Sequence, residues 1–403
     1  MTIAPLPSSD RPVIRMRPKM DTRRIRHGFP WAYANEVVTD RRTKALAPGT
    51  IAVLEDEHRN QMALVAVNPG SKIIARVVDA DVSAEIDTDW FVARLTRALA
   101  LRTRLFDAPF YRLIHAEADG LPGVVIDRFG DVLVIQPNAA WADVRIDMLA
   151  AAAVAVTGVT TVIKNAGGRV RSLEGLDDVS AVLHGTAPDA AIPVPMNGAT
   201  YMADVMGGQK TGLFYDQRPN HAFAANLARD ARVLDMFSHV GGFGLAALAG
   251  GAASALCVDG SAPALELATQ GAAAMGASDR FEARQGDAFD VLTSLGEEGK
   301  QFDMVICDPP SFAPAKPALD AGLRAYERLA RLSADLVVPG GILALCSCSH
   351  AADLEKFRTA CVRGIGRAGR TPALIRTGYA GPDHPLMPQL AESGYLKALF
   401  FHL

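Results

Sequence analysis

The sequence predicts an α/β protein whose C-terminal part contains a mostly parallel sheet. From about residue 230, short apolar runs (VLDMF, ALCVD, FDMVICD and GILALCSCS) alternate with longer helical patterns, and this alternation is typical of βαβ units. A small β-rich segment and a mixed α+β segment precede the sheet. Two or three domains are expected for 403 residues, because single cores rarely exceed roughly 250–300 residues.

Residues 11–82 predict a small β-domain. PGTIAVLEDEHRNQMALVAVNPGSKIIARVV contains three apolar runs separated by turn residues. Residues 11–44 hold ten Lys or Arg and three acids, a local net charge of +7, whereas the whole chain carries −3. The chain is therefore not a uniformly basic nucleic-acid binder. Its local basic patch can follow a phosphate backbone, and a solvated surface segment is the alternative.

Residues 83–195 predict a middle α+β domain. Helical spacing over residues 85–105 places four side chains on one side: Phe91, Leu95, Leu99 and Arg102. GVVIDRFGDVLVIQP predicts a β-hairpin around FGD. A helix over residues 141–156 and the strand TTVIKN are expected after it.

The remaining residues, 196–403, are expected to form the domain with the parallel sheet. Its clearest predicted helices are APALELATQGAAAMGA and LDAGLRAYERLARLSADLV. No apolar stretch reaches the roughly 20 residues of a membrane-spanning helix, and MTIAPLPSSDRP lacks the apolar core of a signal peptide. Neither a membrane partner nor export is therefore expected.

The cysteine pattern indicates a reducing compartment. The chain has five cysteines, all within its last 150 residues: Cys257, Cys307, Cys346, Cys348 and Cys361. An odd number without a regular framework argues against disulfides and favours the cytoplasm. With no CxxC pair and no cysteine–histidine cluster of zinc spacing, no metal is expected.

The ends of the first three predicted strands carry residues suited to ligand binding, since ligands of open α/β sheets bind beyond the carboxyl ends of the strands. LDMFSHVGGFG has glycines that let the backbone approach a ligand, although their spacing departs from the dinucleotide GxGxxG pattern. The acid that ends ALCVD can accept hydrogen bonds from ribose hydroxyls, and the acid in RQGDAF can accept one from an adenine amine. The candidate residues are Asp235, Phe237, Gly241, Gly242, Asp259 and Asp287.

The fourth predicted strand leads into FDMVICDPPSF. Pro309 and Pro310 cannot continue a sheet ladder, so Asp308 and Phe312 are expected at the edge of the sheet. Each strand-end acid by itself is as well explained by a turn or a helix cap. Their recurrence at four successive strand ends favours a ligand site.

This ordered set resembles the class I S-adenosylmethionine-dependent methyltransferases, in which a glycine turn, two acids and a (D/N)PP(F/Y/W) motif follow one another. GGQKTGLFYDQRPNH resembles the GQKTGFFLDQR segment of the bacterial ribosomal RNA large-subunit methyltransferases that make 5-methylcytosine. RIRHGFPWAYANEV resembles the PUA domain of these enzymes, HAEADGLPGVVIDRFGDVLVIQ and RSLEGL their middle domain, and DHPLMPQLAESGYLKAL their C-terminal segment. The resemblance covers nearly the whole chain and departs at NAGGRV, where the family usually has a charged Arg-Ser-Asp stretch.

The resemblance implies a Rossmann-like sheet that binds S-adenosylmethionine, and a PUA-like domain that binds RNA. Gln217 and Arg218 are expected to hold the amino-acid end of the cofactor, since arginine suits bidentate carboxylate contact, and Lys210 is expected to contact substrate. Naked or partly assembled large-subunit ribosomal RNA is the expected partner, because flipping a paired base costs a few kcal/mol. A homodimer stays open.

The resemblance also gives a cysteine a chemical role. Carbon 5 of cytosine is a poor nucleophile until a thiolate adds at C6, which is covalent catalysis. In RNA 5-methylpyrimidine enzymes the attacking cysteine follows the fifth strand in a Thr-Cys-Ser pattern, and SCS here matches that register. Cys348 is therefore the expected nucleophile, and Asp308 is expected to hydrogen bond the N3–N4 edge of the base that Pro309, Pro310 and Phe312 contact.

The residues alone leave alternatives open. Cys346 would point to the same sheet face as Cys348, whereas Cys257, Cys307 and Cys361 are expected in the core. The DPPSF motif also serves methylation of a base nitrogen, which needs no cysteine. A non-catalytic RNA-binding scaffold is a third alternative, which the strand-end acids and glycine turns disfavour.

Overall fold

The computed structural model describes residues 11–207 and 212–403. The chain divides into two compact units. The first consists of Met1–Asp189, Val205–Gly212 and Pro382–Ser393, and the second of Ala190–Asp204, Leu213–Gly381 and Gly394–Leu403.

The first unit begins with a five-stranded sheet. Its strands are β1 (Val13–Arg15), β2 (Trp31–Ala32), β3 (Thr50–Glu55), β4 (Gln61–Val67) and β5 (Ala75–Asp79), in the order β1-β3-β4-β5-β2. Two short helices, α1 (Arg23–Arg26) and α2 (Arg41–Lys44), connect them. The apolar side chains of β3 and β4 lie in the core. The β-rich start that the turn-separated apolar runs predict is confirmed.

A second five-stranded sheet follows in the same unit, in the order β10-β9-β8-β7-β6. Its elements are α3 (Thr88–Leu105), β6 (Phe110–His115), β7 (Val124–Phe129), β8 (Val132–Pro137), α4 (Ala140–Asp143), α5 (Ile146–Thr157), β9 (Thr161–Lys164), α6 (Arg169–Leu173) and β10 (Ala181–His184). β7 and β8 form the predicted hairpin, with Phe129 opposite Val132. The single helix predicted over residues 141–156 is instead two helices, α4 and α5.

Helix α3 confirms the apolar face that its spacing predicts. Phe91 and Leu95 are fully buried, and so is Arg102. A buried guanidinium needs charge and hydrogen-bond partners. Arg102 has them, because its two terminal nitrogens each donate to a carboxylate oxygen of Asp119 over 2.7 Å.

The second unit contains a two-stranded ribbon and a seven-stranded sheet. The ribbon is β11 (Ile192–Met196) and β12 (Ala199–Ala203). The remaining elements are α7 (Arg218–Leu227), β13 (Arg232–Met236), α8 (Gly242–Ala249), β14 (Ser254–Asp259), α9 (Ala262–Ala274), β15 (Phe281–Gln285), α10 (Ala288–Glu297), β16 (Phe302–Cys307), α11 (Leu319–Asp335), β17 (Val337–Ser347), α12 (Leu354–Arg367), β18 (Ala373–Gly378) and β19 (Lys397–His402).

The sheet order β15-β14-β13-β16-β17-β19-β18 confirms the predicted mostly parallel sheet. β13 pairs in parallel with both β14 and β16, and β17 pairs in parallel with β16. After β13 the chain adds β14 and β15 on one side of it, and β16 then pairs with its other side. Open α/β sheets bind ligands at such a reversal of strand order, so a ligand site is expected at the carboxyl ends of β13 and β16.

Strand β17 begins earlier than the apolar run GILALCSCS indicates. Its pairing with β16 passes from Phe302–Val337 directly to Met304–Ile342, so the register shifts around PGG. The prolyl and glycyl residues are accommodated in this irregularity, which is how strands tolerate them. The strand ends at Ser347, immediately before Cys348.

Candidate active site

The turn from β13 into α8 is organised by one buried carboxylate. Asp235 is fully buried, and its Oδ2 accepts hydrogen bonds from the backbone N–H groups of Phe243 (3.1 Å) and Gly244 (2.8 Å). Burial raises the pKa of Asp235 to about 7, and its Oδ1 has no hydrogen-bond partner among the described residues. This predicted cofactor residue therefore holds the start of α8.

Two glycines of this turn lie so close to neighbouring side chains that an added Cβ would clash with them. A Cβ at Gly242 would lie 2.9 Å from Nε2 of His221, and a Cβ at Gly244 would lie 2.3 Å from Sγ of Cys257. Gly241 has φ +82°, a left-handed conformation that favours glycine. The backbone at the end of β13 is thereby brought close to its neighbours.

A cavity of about 80 Å³ lies at the ends of β13 and β16. His221 on its wall is buried, and this burial lowers its pKa to about 3, so the imidazole is neutral. Five of the predicted site residues line this cavity: Gln217, Asp235, Phe237, Gly242 and Asp308. The wall also contains His221 and His239, which the sequence did not single out.

Asp259 and Asp287 do not line this cavity. The carboxylate of Asp259 accepts backbone hydrogen bonds from His239 (2.9 Å) and Ser261 (2.8 Å). Asp287 is the N-cap of α10 and accepts from the N–H groups of Phe289 and Asp290. Asp259 thus lies next to the β13 turn, whereas Asp287 has the capping role that is the plain alternative for a strand-end acid.

Asp308 and Gln217 meet at the carboxyl end of β16. Nε2 of Gln217 donates to Oδ2 of Asp308 over 2.9 Å, and Oε1 of Gln217 accepts from Asn220 over 2.7 Å. Arg218 follows as the first residue of α7, with its guanidinium 5.3 Å from the ring of Tyr215. Lys210, the third site residue predicted in the segment GGQKTGLFYDQRPNH, lies outside the described residues.

The prolines after Asp308 lead into an aromatic cluster. Pro309 is buried and Pro310 is exposed. The ring of Phe312 lies 4.9 Å from Tyr326 and 6.3 Å from Phe237, measured between ring centroids. Phe312 is therefore at the edge of the sheet, as the two prolines predict.

The five cysteines have different surroundings. Cys257, Cys307, Cys346 and Cys361 are buried, and Cys348 is partly exposed. Burial raises the pKa of the Cys307 thiol to about 12 and raises the pKa of Cys346 as well. The prediction of core packing for Cys257, Cys307 and Cys361 is confirmed.

The two serines that flank Cys348 belong to a hydroxyl cluster, defined as Ser311, Tyr326, Ser347 and Ser349. The Ser347 hydroxyl donates to the Tyr326 hydroxyl over 2.9 Å, and the Tyr326 and Ser349 hydroxyls are 2.8 Å apart. Ser349 also contacts Ser311 (3.0 Å) and accepts from the N–H of Ala313 (3.0 Å). The cluster joins the segment after β16 to the segment after β17.

Sequence reasoning missed two members of this neighbourhood. Tyr326 lies on the apolar face of α11, where the spacing predicts only packing. A buried tyrosine hydroxyl needs a hydrogen-bond partner, and this requirement could have indicated that Tyr326 does more than pack. Lys397 lies in the apolar strand KALFFH and is only 5% exposed, which for a lysine is rare without partners.

The basic segment of the first unit is partly neutralised by its own fold. Arg15 pairs with Glu55 (3.1 Å), Arg26 with Asp56 (2.8 Å) and Arg24 with Glu36. Glu55 and Asp56 lie outside residues 11–44, so the net charge of +7 does not include them. The basic patch is therefore weaker than the sequence indicates.

Within residues 11–207 and 212–403, no helix combines the length and apolarity needed to cross a membrane. No three His, Cys, Asp or Glu side chains in that part of the chain are grouped as metal ligands would be.

Known families match most of the chain. A family model described as S-adenosylmethionine-dependent methyltransferase matches residues 157–375, and one described as a PUA-like domain matches residues 14–80. "Ribosomal RNA large subunit methyltransferase I" of Alteromonas mediterranea is 36% identical over 388 residues, 95% of this chain and 97% of that protein. "Ribosomal RNA large subunit methyltransferase" of Deinococcus radiodurans is 35% identical over 410 residues, 98% of this chain and 99% of that protein.

Solved structures share the architecture over nearly the whole chain. A putative methyltransferase from Streptococcus mutans, described as SAM-dependent, has a TM-score of 0.82 at 19% identity, covering 97% of this chain and 100% of that one. A putative methyltransferase solved in complex with SAH has a TM-score of 0.81 at 19% identity, covering 97% and 99%. At this identity the likeness shows the fold, and the predicted fold class is confirmed.

Proposed function

Because the chain belongs to the S-adenosylmethionine-dependent methyltransferases and matches ribosomal RNA large-subunit methyltransferases over almost its whole length, we propose that it methylates carbon 5 of a cytosine in that RNA. Its cofactor is S-adenosylmethionine. The proposal adds the base, the atom and a covalent mechanism through Cys348.

The observation that carries the proposal is the placement of Cys348. Of the five cysteines only this one is partly exposed. It follows β17, which pairs with β16, the strand that leads into Asp308. A nucleophilic thiol must reach solvent-delivered substrate and ionise, and the buried cysteines, with raised pKa values, fit that requirement poorly.

The residues divide the chemistry between them. The Cys348 thiolate would form a bond to C6 of cytosine, and the electron pair of the C5–C6 double bond would then make C5 nucleophilic. S-adenosylmethionine supplies the methyl group when bound. Loss of the C5 proton to a base then allows the C6–sulfur bond to break and restores the thiol. Asp308, oriented by Gln217, would hydrogen bond the N3–N4 edge of the base.

The end of β13 suits the cofactor. Gly242 and Asp235 line the cavity there, and the buried Oδ1 of Asp235 has no partner among the described residues. We assign Asp235, Phe237, Gly241, Gly242, Asp259, Asp287, Gln217 and Arg218 to cofactor binding. Lys210, Pro309, Pro310 and Phe312 are assigned to substrate binding.

A covalent trap tests this mechanism. RNA containing 5-fluorocytosine should remain covalently attached to the protein, because the C5 fluorine cannot leave as the proton does. With S-adenosylmethionine present, gel electrophoresis in denaturant should show the adduct for the wild type and for Cys346→Ala. It should be absent, a loss of more than tenfold, for Cys348→Ala.

Adduct formation by Cys348→Ala would contradict the assignment of the nucleophile. No adduct with any variant, together with methylated guanine or adenine in digested ribosomal RNA, would favour the second candidate, methylation of a base nitrogen. The Asp308–Pro309–Pro310 sequence with its Gln217 hydrogen bond supports that candidate. Failure to bind S-adenosylmethionine at all would favour a non-catalytic scaffold.

We propose three domains, over residues 11–82, 83–195 and 196–403, and naked or partly assembled large-subunit RNA as the substrate in the cytoplasm. Accessible single-stranded cytosines avoid the cost of base flipping, a few kcal/mol. A homodimer remains an alternative to a monomer. Methyl transfer to protein-free and to assembled subunits, compared at equal RNA concentration, would separate the substrates.

A further inference from the structure

We propose that Lys397 is a positioning residue for Cys348, whose ammonium group holds the segment after β17 in place and favours the thiolate form of the cysteine. This inference rests on the proposed function, in which Cys348 is the nucleophile. It adds a residue from β19 that the motifs of the methyltransferase sheet do not include.

Pairing in the sheet places Lys397 beside the cysteine segment. Lys397 is the first residue of β19 and lies directly opposite Ser347, the last residue of β17. Its Nζ donates hydrogen bonds to the carbonyl oxygens of Ser349 (2.8 Å) and Ala352 (2.9 Å). Cys348 therefore lies between the strand partner of Lys397 and a carbonyl group that Lys397 holds.

The burial of Lys397 calls for an explanation. Lys397 is 5% exposed, and a buried ammonium group is costly unless it is paired and hydrogen bonded. The two acceptors that its Nζ contacts are neutral carbonyls, which provide hydrogen bonds without compensating charge. The charge of Asp353 acts on it as well, and a negative charge that forms on Cys348 during the reaction would add to that of Asp353.

The electrostatic interaction of Lys397 with Cys348 supports this account. Burial lowers the pKa of Lys397, while the charges of Cys348 and Asp353 raise it. Such an interaction is reciprocal, because a thiolate that stabilises an ammonium group is stabilised by it equally. The ammonium group thus offsets the destabilising effect that burial would otherwise have on the thiolate.

Other titratable groups near the ends of β16 and β17 do not supply a buried positive charge. They are Tyr326 from α11, Asp353 at the start of α12, Asp308 after β16, and His350 with Tyr395, whose rings lie 6.0 Å apart. Tyr326 is neutral because burial raises its pKa to about 12. Asp353 and Asp308 are acids, which disfavour a thiolate. His350 is exposed and Lys356 is about half exposed, whereas Lys397 is a buried cation.

A purely structural role for Lys397 is the competing explanation. In that case its hydrogen bonds would hold the loop and its charge would not matter. Two substitutions separate the roles, since Lys397→Arg keeps the charge and Lys397→Gln keeps hydrogen-bond donors without it. Lys356→Gln is a matched control, because Lys356 is in the same region but is about half exposed and paired with Asp353.

The test is the pH dependence of Cys348 alkylation by iodoacetamide, in full-length protein without RNA or cofactor. Modification is followed by mass spectrometry with fragmentation that separates Cys348 from Cys346. Only thiolate reacts, so the midpoint of the rate profile reports the pKa of Cys348. We expect Lys397→Gln to raise this midpoint by about one pH unit, which slows alkylation at pH 7 about tenfold, while Lys397→Arg and Lys356→Gln match the wild type.

A folded Lys397→Gln protein with the wild-type midpoint would overturn the inference. If that variant does not fold, the wild type decides, since a midpoint at or above the value of about 8.5 for a free thiol would equally overturn it. The assay needs no methylation, so the two proposals fail separately. A lowered midpoint without a fluorocytosine adduct counts against the proposed function, and an adduct with an unaffected midpoint counts against the role of Lys397.

Discussion

The ends of β13, β16 and β17 carry side chains with shifted pKa values, among them Asp235, Cys307 and Cys346. Asp235 is protonated more readily than an exposed aspartate, because burial outweighs the two N–H groups that it accepts from. At a functional site such a shift is expected, since catalytic and ligand sites bury polar groups that folding alone would leave outside. For Asp235 the consequence is a measurable pH dependence of stability.

The free energy of unfolding should decrease as pH rises between about 4 and 7 on account of Asp235. The folded pKa is raised to about 7 from 3.8, so between these values the folded state keeps its proton while the unfolded state loses it, which favours unfolding. Asp235→Asn keeps an oxygen acceptor for the α8 N–H groups and removes this titration. Urea denaturation at pH 4.5 and 7 should show a wild-type-minus-variant difference that changes by roughly 3 kcal/mol.

An equal difference at both pH values would contradict the raised pKa of Asp235. Asp303→Asn provides the control, because Asp303 lies on β16 near the surface and its pKa is lowered by hydrogen bonding to Arg232. Its contribution is therefore constant between pH 4.5 and 7.

Among the elements, the β13–α8 junction depends on the absence of side chains. Gly244 lies in the first turn of α8 against Cys257 of β14. The glycine turn was predicted for ligand approach, yet at this position the structure shows a helix packed directly on a neighbouring strand. Sequence spacing could not separate these two reasons, because both require glycine after the strand.

Gly244→Ala should destabilise the protein by about 1–3 kcal/mol, since its Cβ would lie 2.3 Å from Sγ of Cys257. Cys257→Ala removes that atom, so the double variant should recover part of the loss. Urea denaturation of the four proteins gives the coupling energy. Gly250→Ala is the control, because its Cβ would meet backbone atoms of Ala225 and Cys257→Ala should not rescue it. Additive losses would contradict this packing.

The same elements show what the sequence can predict. Alternating apolar runs and helical patterns locate β13 to β17 and their helices, because burial of parallel strands on both faces leaves a strong local pattern. The hydroxyl cluster cannot be predicted from a local sequence pattern, because Tyr326 and Ser349 come from different parts of the chain. It also does not reveal that Lys397 lies opposite Ser347, because register between distant strands is fixed by the folded sheet.

At the scale of the whole molecule, two histidines with lowered pKa values, one in each unit, make stability depend on pH. Burial lowers the pKa of His115 in the first unit to about 2 and that of His221 in the second to about 3. Unfolded histidines take up a proton below pH 6.5, so each contribution is present above that pH and is lost as pH falls. In the second unit Asp235 shifts stability in the opposite direction.

The two units should therefore respond differently to acidification from pH 7 to 5. His115 should lower the stability of the first unit by about 2 kcal/mol, whereas His221 and Asp235 should largely cancel in the second. Hydrogen exchange followed by mass spectrometry, corrected for intrinsic rates, reports each unit separately. His115→Gln should reduce the effect in the first unit alone. Equal protection of that unit at both pH values would contradict the lowered pKa of His115.

The position of β19 between β17 and β18 has a consequence for how the protein is made. Both neighbours of β19 are translated before it, so during synthesis the apolar edge of β17 stays without its antiparallel partner. Unpaired strand edges promote aggregation. A chain truncated before Lys397 would keep every glycine and acid assigned to cofactor binding, yet it would expose this edge of β17. Premature termination there should therefore yield insoluble protein rather than a weakened enzyme.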